Sequence, residues 1–274
     1  MLKQRIITAL ILAPAAIWLV LFASTQVLGV ALGLVVLLGA LEWARLAGYS
    51  EPLGRALFLI ALTLLMVAAE AWRRDQGGQW IYLAASLWWL GVLGLLLRRR
   101  QGNLGEAQGK SPLALLAGVL VLLPAWLAMV ELHQRQPAGP GLLLFVLLMI
   151  WLADIGAYFA GRRFGKTKLA PAISPGKTLE GVYGAMFSLL LSGLALYLWG
   201  VLPQLGLLPL LLLCLLVGLF SIVGDLFESL LKRRRGVKDS GKLLPGHGGV
   251  LDRIDSLTAA LPLFLFGLNL LGAA

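Results

Sequence analysis

Cysteine occurs once in 274 residues, histidine twice, and charged side chains make up only 13% of the chain. The lone Cys214 excludes an intrachain disulfide and any multi-cysteine zinc site. Set in a leucine run, it reads as a small buried apolar residue. Two isolated histidines leave no imidazole pair for a transition metal. A soluble domain of this length carries roughly twice this charged fraction. No soluble domain, internal repeat or low-complexity linker stands out. What fills the chain is apolar residue, 59% of the total at a mean hydropathy of +0.89. It comes in runs close to the ~20 residues a helix needs to cross a bilayer. Within lipid each backbone polar group must be satisfied inside its own element, so these runs are helices. The fold class is an all-α polytopic membrane protein.

Polar punctuation predicts about nine spans, over 6–23, 27–47, 56–72, 79–97, 112–132, 141–160, 180–199, 205–231 and 256–273. The N-terminus resembles a secretory signal, but its apolar run is too long and further spans follow at once. It is read as the first transmembrane helix. With nine spans, twenty of the 23 Lys and Arg fall on one side, and only Arg73, Arg74 and Arg135 on the other. The positive-inside rule then makes the N-terminus and the loops 161–180 and 232–255 cytoplasmic. The chain divides into an N-terminal set of about five spans, 1–135, and a region 136–274 that carries both polar loops. Net charge +10 points to an anionic partner such as nucleic acid, acidic headgroups or phosphates. In a membrane protein it is first of all this topology signal. Gly29 and Gly33 have the spacing of a helix-packing pair. The arginines 233–235 read as a headgroup anchor.

Of the thirteen acidic residues, Glu42, Glu51, Glu70, Asp75, Glu106 and Glu131 lie near span ends or in loops. They read as solvated interfacial acids. The other seven follow residue 150 and converge on the basic side. Asp154 is placed roughly 9 Å inside the sixth span, with Tyr158 on its face, and Asp225 and Glu228 are as deep in the eighth. An acid at that depth must face the bundle interior, a cavity or a cation; the plain alternative is an interhelical salt bridge. Asp225, Glu228, Ser229 and Lys232 recur at helical spacing on one face. Asp252 and Asp255 stand three apart at the start of the last span, near a positive helix terminus. Carboxylates meeting from separate helices repel one another without a cation between them. Hard oxygen donors without cysteine suit Mg²⁺ rather than zinc.

The segments "RRFGKTKLAPAISPGKTLEG" and "KRRRGVKDSGKLLPGHGG" are basic and rich in glycine and proline, as phosphate-binding loops are. A P-loop is excluded. Five positions before Gly165 stands Ala160, and before Gly176 stands Pro171, where the motif requires glycine. His247 serves equally as a phosphate ligand, a proton donor or a turn cap. Tyr158, Phe159 and Phe164 are candidates for base stacking and for plain helix packing.

The stretch "SLLKRRRGVKDSGKLLPGHGGVLDRID" resembles the signature of the phosphatidate cytidylyltransferase, or CDP-diglyceride synthase, family. Each fixed position is met, by Ser229, Lys232, Arg233, Lys238, Asp239, His247, Gly248, Gly249, Asp252, Arg253 and Asp255. "DIGAYFAGRRFGK" and "SPGKTLEG" are family-like as well, except that Gly176 stands where some members carry lysine. The resemblance implies an inner-membrane homodimer of bacterial type with its active site toward the cytoplasm. It implies a reaction of CTP with phosphatidate, giving CDP-diacylglycerol and pyrophosphate. Membrane lipids and a second copy are the other partners, and nucleic acid is not one. It further implies a metal site at Asp225, Asp252 and Asp255, with Asp154 and Glu228 as further ligands or orienting groups. Two ions are expected there, Mg²⁺ and a second that is divalent or monovalent. Lys177, Lys232, Lys238, Lys242, Arg233 and Arg253 are assigned to substrate phosphates, and Ser174 and Ser229 to hydrogen bonding. Asp239, Gly248 and Gly249 belong to the substrate loop and His247 to the catalytic set. The rivals are a CTP-dependent lipid or polyprenol kinase and a cation-coupled transporter. A phosphotransferase consuming CDP-lipid needs an Asp-Gly…Ala-Arg array that the chain lacks.

Overall fold

Runs of leucine, alanine and valine without interior polar breaks leave the backbone no low-energy option in lipid except helix. The computed structural model describes residues 2–101 and 104–272. Among them are nine α-helices: α1 (Leu2–Phe22), α2 (Thr25–Leu46), α3 (Pro52–Trp72), α4 (Gly78–Arg99), α5 (Pro112–Gln134), α6 (Gly139–Phe164), α7 (Leu179–Trp199), α8 (Leu207–Arg234) and α9 (Leu251–Leu270). A five-residue π-helical turn, Arg73–Gly77, joins α3 to α4. Side-chain oxygens of Ser24, Ser111 and Thr178 cap α2, α5 and α7, each supplying a first-turn amide that has no helical partner. The expected end of the last span at residue 273 lies outside the described residues.

Helices α2 to α8 are each long and apolar enough to cross a membrane, and α1 adds a shorter apolar stretch, Leu10–Phe22. Helix α9 is less apolar because Asp252, Arg253 and Asp255 stand in its first two turns. It packs against α2, α4, α5, α6 and α8, and Ala259, Ala260, Leu261, Phe264 and Leu265 are fully buried. Successive helices run antiparallel. At one end the close of α2 meets the start of α9, and Thr8 of α1 donates to the carbonyl of Pro245. At the other end Thr25 of α2 meets His133 of α5 at 2.9 Å, and Arg73, just past α3, bonds Gln134 of α5 at 3.0 Å. The nine-helix count that the charge bias requires is thus the count observed.

Two expectations change. The 161–180 segment is not loop throughout: α6 runs on to Phe164, and β1 (Lys168–Ala170) pairs antiparallel with β2 (Ser174–Thr178). Nor are the arginines 233–235 a simple headgroup anchor. Arg235 turns inward and donates to the carbonyls of Leu46 at 2.6 Å, Ala107 at 2.8 Å and Gly109 at 2.8 Å. It satisfies the last carbonyl of α2, which has no helical partner, and ties α8 to the 104–111 segment, where Lys110 also pairs with Glu51 at 2.5 Å. That ammonium holds the Glu51 carboxyl below its ordinary range. Arg235→Ala is expected to cost at least about 2 kcal/mol, since it removes three hydrogen bonds from a charged donor and even one such bond contributes about 1.5–3 kcal/mol. A fall in melting temperature with unchanged KM for substrate, on purified protein, is the measurement that checks it.

Candidate active site

The site begins with the close packing of α6 on α7, the most extensive helix pair. A side chain on Gly156 would overlap Ser188 and come within 2.7 Å of the Gly184 carbonyl. Glycine at both positions lets the two backbones touch. Asp154 lies ten residues inside the end of α6, about 15 Å at 1.5 Å per residue, because α6 runs four residues past the expected span. Beyond the helix end the β-hairpin folds back, and its second strand delivers Lys177 onto Asp225 of α8, Nζ to Oδ2 2.6 Å. Ser229, one turn on, donates to the other oxygen of Asp225 at 3.3 Å. Between α6, α7, α8 and the hairpin is a cavity of about 360 Å³. Asp154, Tyr158, Arg162, Lys177, Ser221 and Asp225 give it its polar wall.

One turn further along α8, Lys232 is buried between two carboxylates, at 3.0 Å from Glu228 Oε1 and 2.5 Å from Asp252 Oδ1. Glu228 is 2% exposed, and apart from this ion pair its two oxygens accept no hydrogen bond. Asp252 is saturated. Its Oδ2 accepts from the Ser240 amide at 3.0 Å, the Ser240 hydroxyl at 3.0 Å and the Gly249 amide at 2.8 Å. These bonds fold the segment 236–250 over the start of α9. Gly248, at φ +86°, and Gly249 pass so close to Asp252, Ser240 and Glu42 that a β-carbon on either would strike them.

Glu42 corrects the reading of a solvated interfacial acid. It is 4% exposed and accepts from the Val250 amide at 3.0 Å, the Leu251 amide at 2.9 Å and the Ser240 hydroxyl at 2.8 Å. Glu131 is not free in solvent either, since it accepts from the buried Tyr82 hydroxyl at 2.8 Å. Glu70 holds Arg73 at 2.7 Å. Sequence reasoning missed Glu42 and Ser240. The signal was there for Glu42, which sits five residues inside its span, the depth argument that singled out Asp154.

The expected residues fall into three places. Asp154, Lys177, Asp225 and Ser229 gather around the cavity, and Glu228, Lys232 and Asp252 form the adjoining buried cluster. Asp255 lies between them, within electrostatic reach of Asp225, Lys177 and Lys232, and its Oδ1 accepts from the Ser256 amide at 2.7 Å. Ser174 is half-buried at the start of β2, while Lys238, Asp239, Lys242 and Arg253 are exposed at the rim. Arg233 donates to the carbonyls of Ile173 and Val237. The backbone of His247 closes a tight turn onto Leu244, and its Nδ1 is buried without a hydrogen bond. Phe159 and Phe164 face outward, away from the polar wall, and are 65% and 64% exposed.

In kind, the carboxylate oxygens gathered here are the hard donors that a divalent cation takes. Three carboxylates, Asp225, Glu228 and Asp252, contact the two lysines Lys177 and Lys232, Asp154 and Asp255 lie within electrostatic reach of them, and Glu42 is joined to Asp252 through Ser240. The formal excess is negative, and Glu228 Oε2 takes no hydrogen bond among the described residues. Among the described residues, no three such side chains converge tightly enough as they stand to close a coordination shell. Asp225 and Asp252 each face a lysine ammonium instead.

A helical membrane protein that sinks carboxylates and lysines into one end of its bundle, under a glycine-rich basic segment, is built to handle polyanions at the membrane surface. The chain belongs to the cytidylyltransferase family, whose model matches residues 3–271. It is 48% identical to a phosphatidate cytidylyltransferase of Pseudomonas aeruginosa over 96% of each chain. It is 38% identical to that of Haemophilus influenzae, over 97% of this chain and 98% of the relative. A third, from Brucella suis, is 34% identical over 97% of this chain and 93% of its own length.

Proposed function

We propose that the chain transfers the cytidylyl group of CTP to phosphatidate, forming CDP-diacylglycerol and releasing pyrophosphate. The observation that carries this is the union of the two ion-pair clusters, Lys177–Asp225 and Glu228–Lys232–Asp252, with a cavity set between membrane helices. One substrate lives in the bilayer and the other in water, so charge has to meet oil where the chemistry happens. The attacking phosphate is already an anion and needs no strong general base. The difficulty is to bring two polyanions together in line, and positioned cations answer it. Lys232 supplies buried and Lys177 half-buried positive charge, and Lys238, Lys242 and Arg253 supply it at the rim. Ser174 and Ser229 orient phosphate oxygens. The long walls of α6 and α8 keep the reacting phosphates out of bulk water.

Asp225, Asp252 and Asp255 would hold Mg²⁺, with Asp154 and Glu228 as further ligands or orienting groups, and a second ion, divalent or monovalent, would share the site. When bound, such ions neutralise phosphate charge and polarise the attacked phosphorus. Chelation is expected to remove turnover and added Mg²⁺ to restore it; activity that persists through exhaustive chelation would discard the ion. Lys177→Met is expected to lower kcat/KM by about a hundredfold, the loss typical of removing one positioned group aimed at developing charge. Steady-state kinetics on protein of unchanged melting temperature are the check. The site faces the cytoplasm of a bacterial inner membrane, and the chain works as a homodimer.

Purified protein given phosphatidate, α-labelled CTP and Mg²⁺ tests the reaction. Label in the lipid with pyrophosphate released supports the cytidylyl transfer. CDP released with unlabelled lipid transfers the assignment to a lipid kinase. A transporter would spread its acids through the depth of the bundle, whereas these gather at one end.

A further inference from the structure

Glu42 is contributed by α2, from the N-terminal half of the chain, yet it touches the segment that closes the site. Its Oε1 accepts from Val250 N–H and its Oε2 from Leu251 N–H and Ser240 Oγ–H. Those two amides open α9, that of Val250 just before the helix and that of Leu251 at its first residue, where a helix has no internal acceptors and its dipole favours a negative group. The usual cap is a side chain from the turn just before the helix. Here Val250 offers none, and the carboxylate comes from more than two hundred residues away. Ser240 then links Glu42 to Asp252: the hydroxyl has one proton and lies 2.8 Å from the first carboxylate and 3.0 Å from the second. Asp252 in turn holds Lys232. Gly241 and Gly249 press against Glu42 so tightly that neither tolerates a β-carbon.

We infer that Glu42 is a positioning residue for the reaction: it fixes the start of α9 and the 240–250 segment, and through them the placement of Asp252 and Lys232. It reaches no substrate itself. The inference rests on the function proposed above. Glutamine at this position keeps the shape and loses an acceptor, so its NH₂ group must face Val250 N–H or the Leu251 and Ser240 donors, donor against donor.

The test compares purified full-length wild type with Glu42→Gln and with Glu131→Gln, a matched loss of a carboxylate at the opposite end of the bundle. Hydrogen–deuterium exchange of peptides covering 240–252 needs no substrate. It is expected to quicken by about tenfold in Glu42→Gln, as local opening is eased, and to stay at the wild-type rate in Glu131→Gln. In turnover assays Glu42→Gln is expected to lose about tenfold or more in kcat, with KM for CTP within about threefold, the pattern of a group felt in the transition state. Exchange at the wild-type rate, or a kcat matching that of Glu131→Gln at equal melting temperature, overturns the inference. If Glu42→Gln does not fold, Ser240→Ala carries the same two readouts, and no change in either overturns it. Wild type that releases no pyrophosphate would sink the proposed reaction, and the exchange arm would still judge whether Glu42 anchors the segment.

Discussion

Asp252→Ala is expected to lower turnover by at least about a thousandfold, the upper range for removing one preorganised charged group from a reacting centre. The protein should still elute as a folded species in detergent. The two halves of that expectation have different causes. Asp252 gives one oxygen to Lys232 and the other to three donors of the 240–249 segment, so its removal frees both a buried cation and a loop. Lys232 keeps Glu228 at 3.0 Å and the Ser240 hydroxyl keeps Glu42 at 2.8 Å, so neither is stranded. The amides of Ser240 and Gly249 are left unmet, at about 1–3 kcal/mol for each that stays dry. Asp252→Asn separates charge from shape. Its amide nitrogen must face either Lys232 or the backbone donors, so it is expected to be nearly as inactive as alanine while melting closer to wild type. Pyrophosphate release and thermal unfolding of both variants decide the matter. Normal turnover by Asp252→Ala would remove this carboxylate from the reaction and with it the reading of the signature.

What the sequence makes legible is what depends on local pattern. Apolar run length gives the helices to within a few residues, and the one-sided distribution of lysine and arginine gives their number and alternation. Helical spacing places Asp225, Glu228, Ser229 and Lys232 on one face of α8, and the structure engages all four of them at the site. What stays hidden depends on contacts between distant segments. Glu42 and Arg235 look like interfacial charges because a single sequence cannot tell a side chain that meets water from one that meets another helix end. Glu42 finds α9, and Arg235 finds the carbonyls of residues 46, 107 and 109. The hairpin 168–178 is likewise hidden, since "SPGKT" contains proline and glycine and has no alternating pattern. It exists because the chain must double back from α6 to α7 and place Lys177 over Asp225. The glycines were recognised and their reason only partly so. Expected to let phosphate approach, Gly248 and Gly249 also make room for Asp252, Ser240 and Glu42.

That packing makes Gly249→Ala the second large effect. A β-carbon there would overlap Ser240 Oγ and Glu42 Oε2, both held by hydrogen bonds on their far sides, so neither can yield without losing partners. The expected result is a loss of turnover of at least about a hundredfold, with a clear fall in melting temperature, since overpacking at a rigid site costs about 1–3 kcal/mol. Gly91→Ala is the contrast. Nothing lies within 4 Å of a β-carbon at that position in α4, and alanine in a helix interior gains about 0.5–1 kcal/mol over glycine, so full activity and equal or slightly higher thermal stability are expected. Melting of Gly249→Ala without CTP separates the two roles the glycine can play. Were the space kept for a phosphate, the substrate-free protein would melt like wild type and the defect would appear as a raised KM for CTP. Because the space is filled by the protein's own carboxylate, the defect is present before any substrate arrives.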